Sequence, residues 1–228
     1  MNRTTDFLPG SKFKIFQRKD MFRINTDTFA LASFMMIKKG EVVLDIGTNN
    51  GALLIEASRF NPELLIGVDI FNEATELARE NFNELLIENY RLYTCRVQDL
   101  TVEPVDVILC NPPYFNQMNK ANRNPNPYLE AARHEIFLPL VELLDCVRRD
   151  LKSHGRFYLI HRSDRLAEII IEADKRGLTL KKCMPIIDHR KKNSHAICLE
   201  FIKGGNQGLI FINPMEIGKE TDNDGYVD

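Results

Sequence analysis

The chain has no apolar run long enough to cross a bilayer: its longest, Phe29 to Ile37, is broken by Ser33. The opening stretch, MNRTTDFLPGSKFKIFQRKD, lacks an apolar core of signal-peptide length. A secreted or membrane-spanning protein is therefore not expected. Cysteine is sparse and scattered: Cys95, Cys110, Cys146, Cys183 and Cys198 include no pair with metal-ligand or redox spacing. Cys95, Cys110 and Cys198 fall inside expected strands, where a thiol serves as a small core residue. No metal is expected, and the cytoplasm is the expected compartment. Repeats and low-complexity runs are also missing. With 44% hydrophobic and 27% charged residues over 228 positions, the composition is that of one ordinary domain with a sizeable core.

What is present is unevenly distributed. The net charge of −2 conceals a basic start, with six Lys/Arg against two Asp/Glu in residues 1–23. Residues 24–110 are acidic, six against fourteen, and residues 111–203 are basic again, seventeen against eleven. Such imbalance is ordinary solvation on one reading and a basic rim able to hold a phosphate backbone on another. The end, from Gly218 to Asp228, is acidic and expected to be a disordered tail.

Phe13–Phe16 and Met21–Ile24 read as a short hairpin, and Thr26 or Asp27 can cap a helix reaching about Ile37. Strands are expected at Glu41–Ile46, Leu64–Asp69, Arg91–Arg96, Val105–Cys110, Arg156–Ile160, Leu178–Ile187 and Ala196–Ile202. Helices are expected at Ala52–Phe60, at Glu73–Ile87 with Asn72 as N-cap, at Pro139–Lys152 and at Asp164–Arg176. Alternating strands and helices imply a doubly wound, mostly parallel α/β sheet of seven strands. The last two strands have no helix between them, so the final one is expected to run antiparallel at one end of the sheet. Residues 1–38 form an N-terminal hairpin and helix, and 39–217 form the main domain.

In such a sheet, ligands sit beyond the carboxyl ends of the strands where the winding direction changes. Asp45-Ile46-Gly47-Thr48-Asn49-Asn50-Gly51 lies at such an end. Its glycines allow positive φ and close approach of backbone to ligand. Asp69 ends the next strand, where a carboxylate can accept from both hydroxyls of a ribose, with Ile70 beside it. The dinucleotide fingerprint Gly-x-Gly-x-x-Gly is absent.

Val105–Cys110 delivers Asn111-Pro112-Pro113-Tyr114 to the same edge. Two prolines fix φ and remove two donors, leaving carbonyls as acceptors. The Asn111 side-chain oxygen and the Pro112 carbonyl suit the two N–H bonds of a conjugated amine, and Tyr114 and Phe115 suit a flat substrate. Transfer of a methyl group to such an amine needs positioning rather than a strong base, consistent with the lack of an obvious catalytic His or Lys. The alternative is a simple loop terminator, since Asn-Pro is a common turn pair.

Asp45-x-Gly47-x-Asn49-x-Gly51 resembles the first motif of class I S-adenosylmethionine methyltransferases, Asp-x-Gly-x-Gly-x-Gly, a Rossmann-like fold. The resemblance implies S-adenosylmethionine as cofactor, with Asp45 at its cationic methionine end and the glycine turn beneath it. Asn49 departs from the motif, although asparagine tolerates the left-handed region. The same resemblance implies that Asp99 accepts from the adenine amino group and that Leu100 flanks the ring.

More of the chain, from about residue 8 to about 217, resembles the bacterial tRNA(1)Val (adenine(37)-N6)-methyltransferase family. The matching segments are Phe22 to Leu31, Asn111 to Phe115, Ala132-Arg133-His134-Glu135, Gly155-Arg156-Phe157, His161-Arg162, Arg165-Leu166 and the ending Leu199-Glu200, Gly204-Gly205 and Pro214. The resemblance implies that Asn25, Thr26 and Asp27 line the methionine end, a role compatible with their capping a helix. It implies tRNA as partner, with adenine 37 flipped out of the anticodon loop, and favours RNA contacts by Arg133, His134, Arg190, Lys191 and Lys192. The Pro/Asn-rich stretch Asn116–Pro127 reads as a substrate-ordered lid, and His134 reads equally as a solvated loop histidine. A monomer or weak homodimer is expected.

Two alternatives remain open at this point. One is another amine methyltransferase with this tetrad, acting on ribosomal RNA guanine, DNA adenine or a release-factor glutamine. The other, prompted by Asn49, is an RNA-binding module with weakened cofactor affinity.

Overall fold

Val42–Ile46 and Val105–Cys110 are apolar on both faces apart from Asp45 and Asp106, the pattern of strands covered on both sides. A computed structural model describes residues 3–8, 13–112, 138–190 and 193–218, and there these runs are the centre of one sheet. The elements are β1 (Arg3–Phe7), β2 (Lys14–Arg18), α1 (Thr26–Phe34), β3 (Val42–Ile46), α2 (Ala52–Ser58), β4 (Leu64–Asp69), α3 (Asn72–Glu84) and β5 (Tyr90–Thr94). There follow β6 (Val105–Cys110), α4 (Leu140–Asp150), β7 (Leu151–Arg162), α5 (Leu166–Asp174), β8 (Leu178–Asp188), β9 (Asn193–Lys203), β10 (Ile210–Phe211) and β11 (Met215–Ile217).

The sheet order is β10-β8-β9-β7-β6-β3-β4-β5, with β11 also on β8. Strands β5, β4, β3, β6 and β7 are parallel, so their carboxyl ends share one edge. From β3 the chain winds outward through β4 and β5, then crosses back to β6 on the other side of β3. The switch point therefore lies between β3 and β6, where Ile46 is opposite Cys110.

Strand alternation divides the core into two layers. Leu44, Ile108, Phe157 and Leu199 pack with Leu144 and Val147 of α4 and Ile169 of α5. Val43, Val107, Leu109 and Cys198 face the other way, onto Leu31 of α1 and Leu54 of α2. The doubly wound α/β architecture is as expected.

Three expectations are corrected. The antiparallel strand, β9, lies between β7 and β8 instead of at one end. Ala196, Ile197, Cys198, Leu199 and Phe201 bury both of its faces, and its buried acid, Glu200, is paired with Lys182 at 3.0 Å. Among the described residues the sheet has nine strands in place of seven, because β10 and β11 add short parallel pairings along β8. Runs of two and three residues carry no readable period.

The hairpin also differs: β2 pairs with β1, in a separate antiparallel ladder from Arg3 opposite Arg18 to Phe7 opposite Lys14. Met21–Ile24 is no strand. The Ile24 N–H donates instead to Oε1 of the buried Gln17 at 2.7 Å, and Met21 packs against Ala74 and Leu77 of α3.

Helix ends shift by a few residues. Asn72 is the first residue of α3 and does not cap it, and Leu86 at φ +55 turns the chain away before Ile87. Helix α1 stops at Phe34 because Met35 is already extended. Among the described residues no helix is long and apolar enough to cross a membrane.

Candidate active site

Alternation along β3 puts Asp45 on the layer of Val43, beneath α1 and α2, and it is only 1% exposed. Among the described residues its Oδ1 has no partner in hydrogen-bond geometry, and neither has Oγ1 of the buried Thr48, although that hydroxyl lies close enough to favour the charged carboxylate. Burial pushes the Asp45 carboxyl up to about 7; the Thr48 hydroxyl opposes this, and the Asp69 carboxylate adds to it. An orphaned acid in such a position fits a cationic ligand, which would restore the charge it lacks.

Beyond Asp45 the chain turns sharply. Gly47 has φ +76, its N–H and that of Thr48 both donate to Val68 O, and a Cβ on Gly47 would meet nothing within 4 Å. That open space leaves the Gly47 backbone free for close approach by a ligand. Gly51, at φ +80, is also constrained by packing: a Cβ there would sit 2.7 Å from Cε1 of Phe82, which is fully buried. Gly51→Ala should therefore cost about 2–5 kcal/mol, summing left-handed strain and overpacking. Denaturant titration should report it as a lower midpoint at constant slope. A loss below about 1 kcal/mol would mean that the Phe82 ring yields freely.

Asn49 takes φ +49, so the turn keeps its left-handed residue without the usual glycine. Its N–H donates to Asp69 Oδ2 at 2.9 Å, and its side-chain Nδ2 donates to Phe22 O at 2.7 Å. A glycine could make the first bond only. Asp69 Oδ1 accepts the Phe71 N–H at 3.0 Å. Burial raises the Asp69 carboxyl, opposed by the backbone N–H groups of Phe71, Asn49 and Ile70. Half-buried Asp69 and Ile70 thus sit beside the turn, at the carboxyl end of β4.

Asn81 of α3 was not legible as a site residue. Its Oδ1 accepts the Phe16 N–H at 2.7 Å, and its Nδ2 donates to Phe16 O at 3.1 Å and Asn50 O at 2.9 Å. One buried amide thereby holds the N-terminal ladder against the glycine turn.

Asn111 follows β6 directly and is half-buried, one strand from Gly47 across the switch point. Its Nδ2 donates to Thr28 Oγ1 at 3.2 Å. Among the described residues its Oδ1 has no hydrogen-bond partner. Asn25 caps α1: its Oδ1 accepts the Thr28 N–H at 3.1 Å and the Thr28 hydroxyl at 3.2 Å. Thr26 is exposed, while Asp27 is buried beside Cys198, whose thiol is raised by burial and further by Asp27. Thr28 was missed in the sequence, since only three-dimensional proximity links it to Asn111.

The remaining described candidates lie as follows. Asp99 is exposed after β5, and Leu100 is buried in the core layer with Val97 and Leu144. Arg190 lies at the β8–β9 tip, exposed, with Nε 3.2 Å from Asp188 Oδ1. Both β7 and β8 run antiparallel to β9, so that tip is on the same sheet edge as Asn111. Pro112 is half-buried. Pro113, Tyr114, Phe115, the 116–127 stretch, Arg133, His134, Lys191, Lys192 and residues 219–228 lie outside the described residues.

The family model described as "Methyltransferase domain" matches residues 37–203. A tRNA1(Val) (adenine(37)-N6)-methyltransferase of Cytophaga hutchinsonii is 29% identical over 187 residues, spanning 79% of this chain and 77% of the relative. One from Aliivibrio salmonicida is 30% identical over 181 residues, spanning 78% and 76%. Among solved structures, a predicted O-methyltransferase from Agrobacterium tumefaciens is similar at TM-score 0.64 and 19% identity, over 86% of this chain and 90% of that one. A SAM dependent methyltransferase from Aquifex aeolicus is similar at TM-score 0.55 and 15% identity, over 78% and 89%.

Proposed function

The chain belongs to the tRNA1(Val) (adenine(37)-N6)-methyltransferase family, whose methyltransferase domain uses S-adenosylmethionine, and on that premise we propose that it methylates the exocyclic N6 of adenine in tRNA. The relatives' names make adenine 37 of a valine tRNA the expected base. One observation carries the proposal: Asn111 emerges from β6 beside the β3 turn, with its amide nitrogen engaged and its oxygen without a partner among the described residues.

S-adenosylmethionine, when bound, supplies an activated methyl group on a sulfonium. Asp45, Gly47, Asn49 and Gly51 would hold its methionine end with Thr26 and Asp27, and Asp69, Ile70, Asp99 and Leu100 its adenosine. The orphaned Asp45 oxygen and the open space over Gly47 fit that ligand. Asn111 Oδ1 and the Pro112 carbonyl each accept one hydrogen of the substrate NH₂. That would pull the nitrogen towards tetrahedral geometry and turn its localised lone pair towards the side from which a methyl group would be supplied. Pro113 brings no N–H donor of its own, while Tyr114 would stack on the flipped base and Phe115 help to enclose it.

A base in an anticodon loop needs less unstacking than one in a duplex. Arg133, His134, Arg190, Lys191 and Lys192 are assigned to contacts with the RNA, Arg133 to a phosphate or a base. For Arg190 the support is its position on the Asn111 edge of the sheet.

The test is incubation with labelled S-adenosylmethionine and unmodified tRNA, followed by nucleoside analysis. Label should appear in N6-methyladenosine. Label in protein, or in any other nucleoside, would overturn the proposal.

A further inference from the structure

We infer that Thr28 is a positioning residue that sets which end of the Asn111 amide faces the substrate. The inference rests on the proposed role of Asn111 Oδ1 as acceptor of the amine. An asparagine amide has a donor end and an acceptor end of nearly equal size, related by a half-turn about its last torsion. Nothing in the shape of the side chain prevents the wrong end from facing the substrate. The wrong end would meet an NH₂ with another NH₂.

The bonds around Thr28 remove that ambiguity one group at a time. Asn25 caps α1, so its Oδ1 must point at the Thr28 N–H, 3.1 Å away. That same oxygen is 3.2 Å from the Thr28 hydroxyl and can only accept, which commits the single hydroxyl proton to Asn25. Thr28 Oγ1 is then left with lone pairs alone towards Asn111, 3.2 Å away, and can take only the Nδ2 end. Turning the Asn111 amide over would set oxygen against an oxygen whose proton is already spent. The polarity of the helix cap thus passes through one hydroxyl to the amide and leaves Asn111 Oδ1 on the substrate side.

This assignment differs from a merely structural role for Thr28. The backbone cap bond from Asn25 uses the Thr28 N–H and survives loss of the hydroxyl. Valine has nearly the same shape, so Thr28→Val removes only the orienting group. Serine retains it.

The experiment is steady-state and single-turnover kinetics on wild type, Thr28→Val and Thr28→Ser, with cofactor affinity measured by calorimetry. Thr28→Val should lower kcat by about tenfold, the scale of one lost orienting hydrogen bond. KM for tRNA and cofactor affinity should stay within about twofold, and Thr28→Ser should recover most of the rate. A Thr28→Val kcat within twofold of wild type, or a serine variant as slow as valine, would overturn the inference.

A second measurement does not depend on turnover. The side-chain amide protons of Asn111, identified as the NMR pair lost in Asn111→Ala, should exchange with solvent faster in Thr28→Val. Unchanged exchange would also overturn it. Wild type that makes no N6-methyladenosine would sink the proposed function separately, and amide exchange would still decide whether Thr28 orients Asn111.

Discussion

Asn111→Ala should lower the rate of methyl transfer by about 10³-fold and leave cofactor affinity within about threefold of wild type. The magnitude is that of removing one preorganised polar group aimed at charge that develops only in the transition state. As the substrate nitrogen attacks, it becomes positive and its hydrogens become stronger donors, so an acceptor fixed against them gains strength along the reaction. Alanine leaves one of those hydrogens without its preorganised acceptor.

The fold should tolerate the change. Asn111 is half-buried, and its one hydrogen bond among the described residues is to Thr28. That is worth about 1 kcal/mol of stability. Single-turnover kinetics and calorimetry on the same preparation separate the two effects. Equal losses of rate and of cofactor affinity would move Asn111 from the substrate to the cofactor.

The second large effect concerns Asp45 and pH. Burial holds its carboxyl at about 7 in the unliganded protein, well above an ordinary carboxylate. A sulfonium cofactor with a charged amino group needs the ionised form. Affinity should therefore be flat above about pH 7 and fall about tenfold per pH unit below it, so that binding at pH 6 is about tenfold weaker than at pH 8. Asp45→Asn should bind weakly at every pH with no such slope. A wild-type affinity independent of pH between 5.5 and 8 would exclude Asp45 as the group that receives the cation.

The same carboxyl has the opposite sign for stability. Its folded value lies above its unfolded value, so the unliganded fold holds a proton that the unfolded chain releases. The associated stability is fully present below about pH 4 and is lost as pH rises towards 7. By pH 8 the loss is roughly 4 kcal/mol. Asp45→Asn should thus raise the unliganded melting temperature at pH 8 while weakening cofactor binding. That is the trade expected where an acid is kept buried for its ligand.

The parts of the site that could be read in the sequence are those whose signal is local. Asp45, Gly47, Gly51 and Asp69 lie within or next to strongly apolar strands whose period is unmistakable, and each is a residue type that a strand end rarely carries without cause. Asn111 was legible because two prolines follow it. The rank of β9 in the sheet was not legible as a topology, because a hairpin can fold back on either side of its partner. Its burial on both faces was the available clue. Thr28 and Asn81 carried no signal at all: their partners Asn111 and Phe16 are 83 and 65 residues away, and neither spacing has a period. The β1–β2 pairing was missed for a related reason. The buried Gln17 side chain takes the bond from Ile24 that a strand neighbour would have taken.

That last arrangement bears on the order in which the molecule can be assembled. Residues 3–24 are the first described residues to be synthesised, yet their own ladder of two strands is too small to be stable alone. What seats them is the Asn49 amide on Phe22, the Asn81 amide on Phe16 and the pocket of Ala74 and Leu77 under Met21. None of these exists until β3, β4 and α3 have been made and have collapsed together. The N-terminal ladder is therefore a late-docking piece of an early-emerging segment, and it waits, unpartnered, for roughly sixty residues of nascent chain. Thr28 belongs to the helix that follows it, and its bond to Asn111 closes later still.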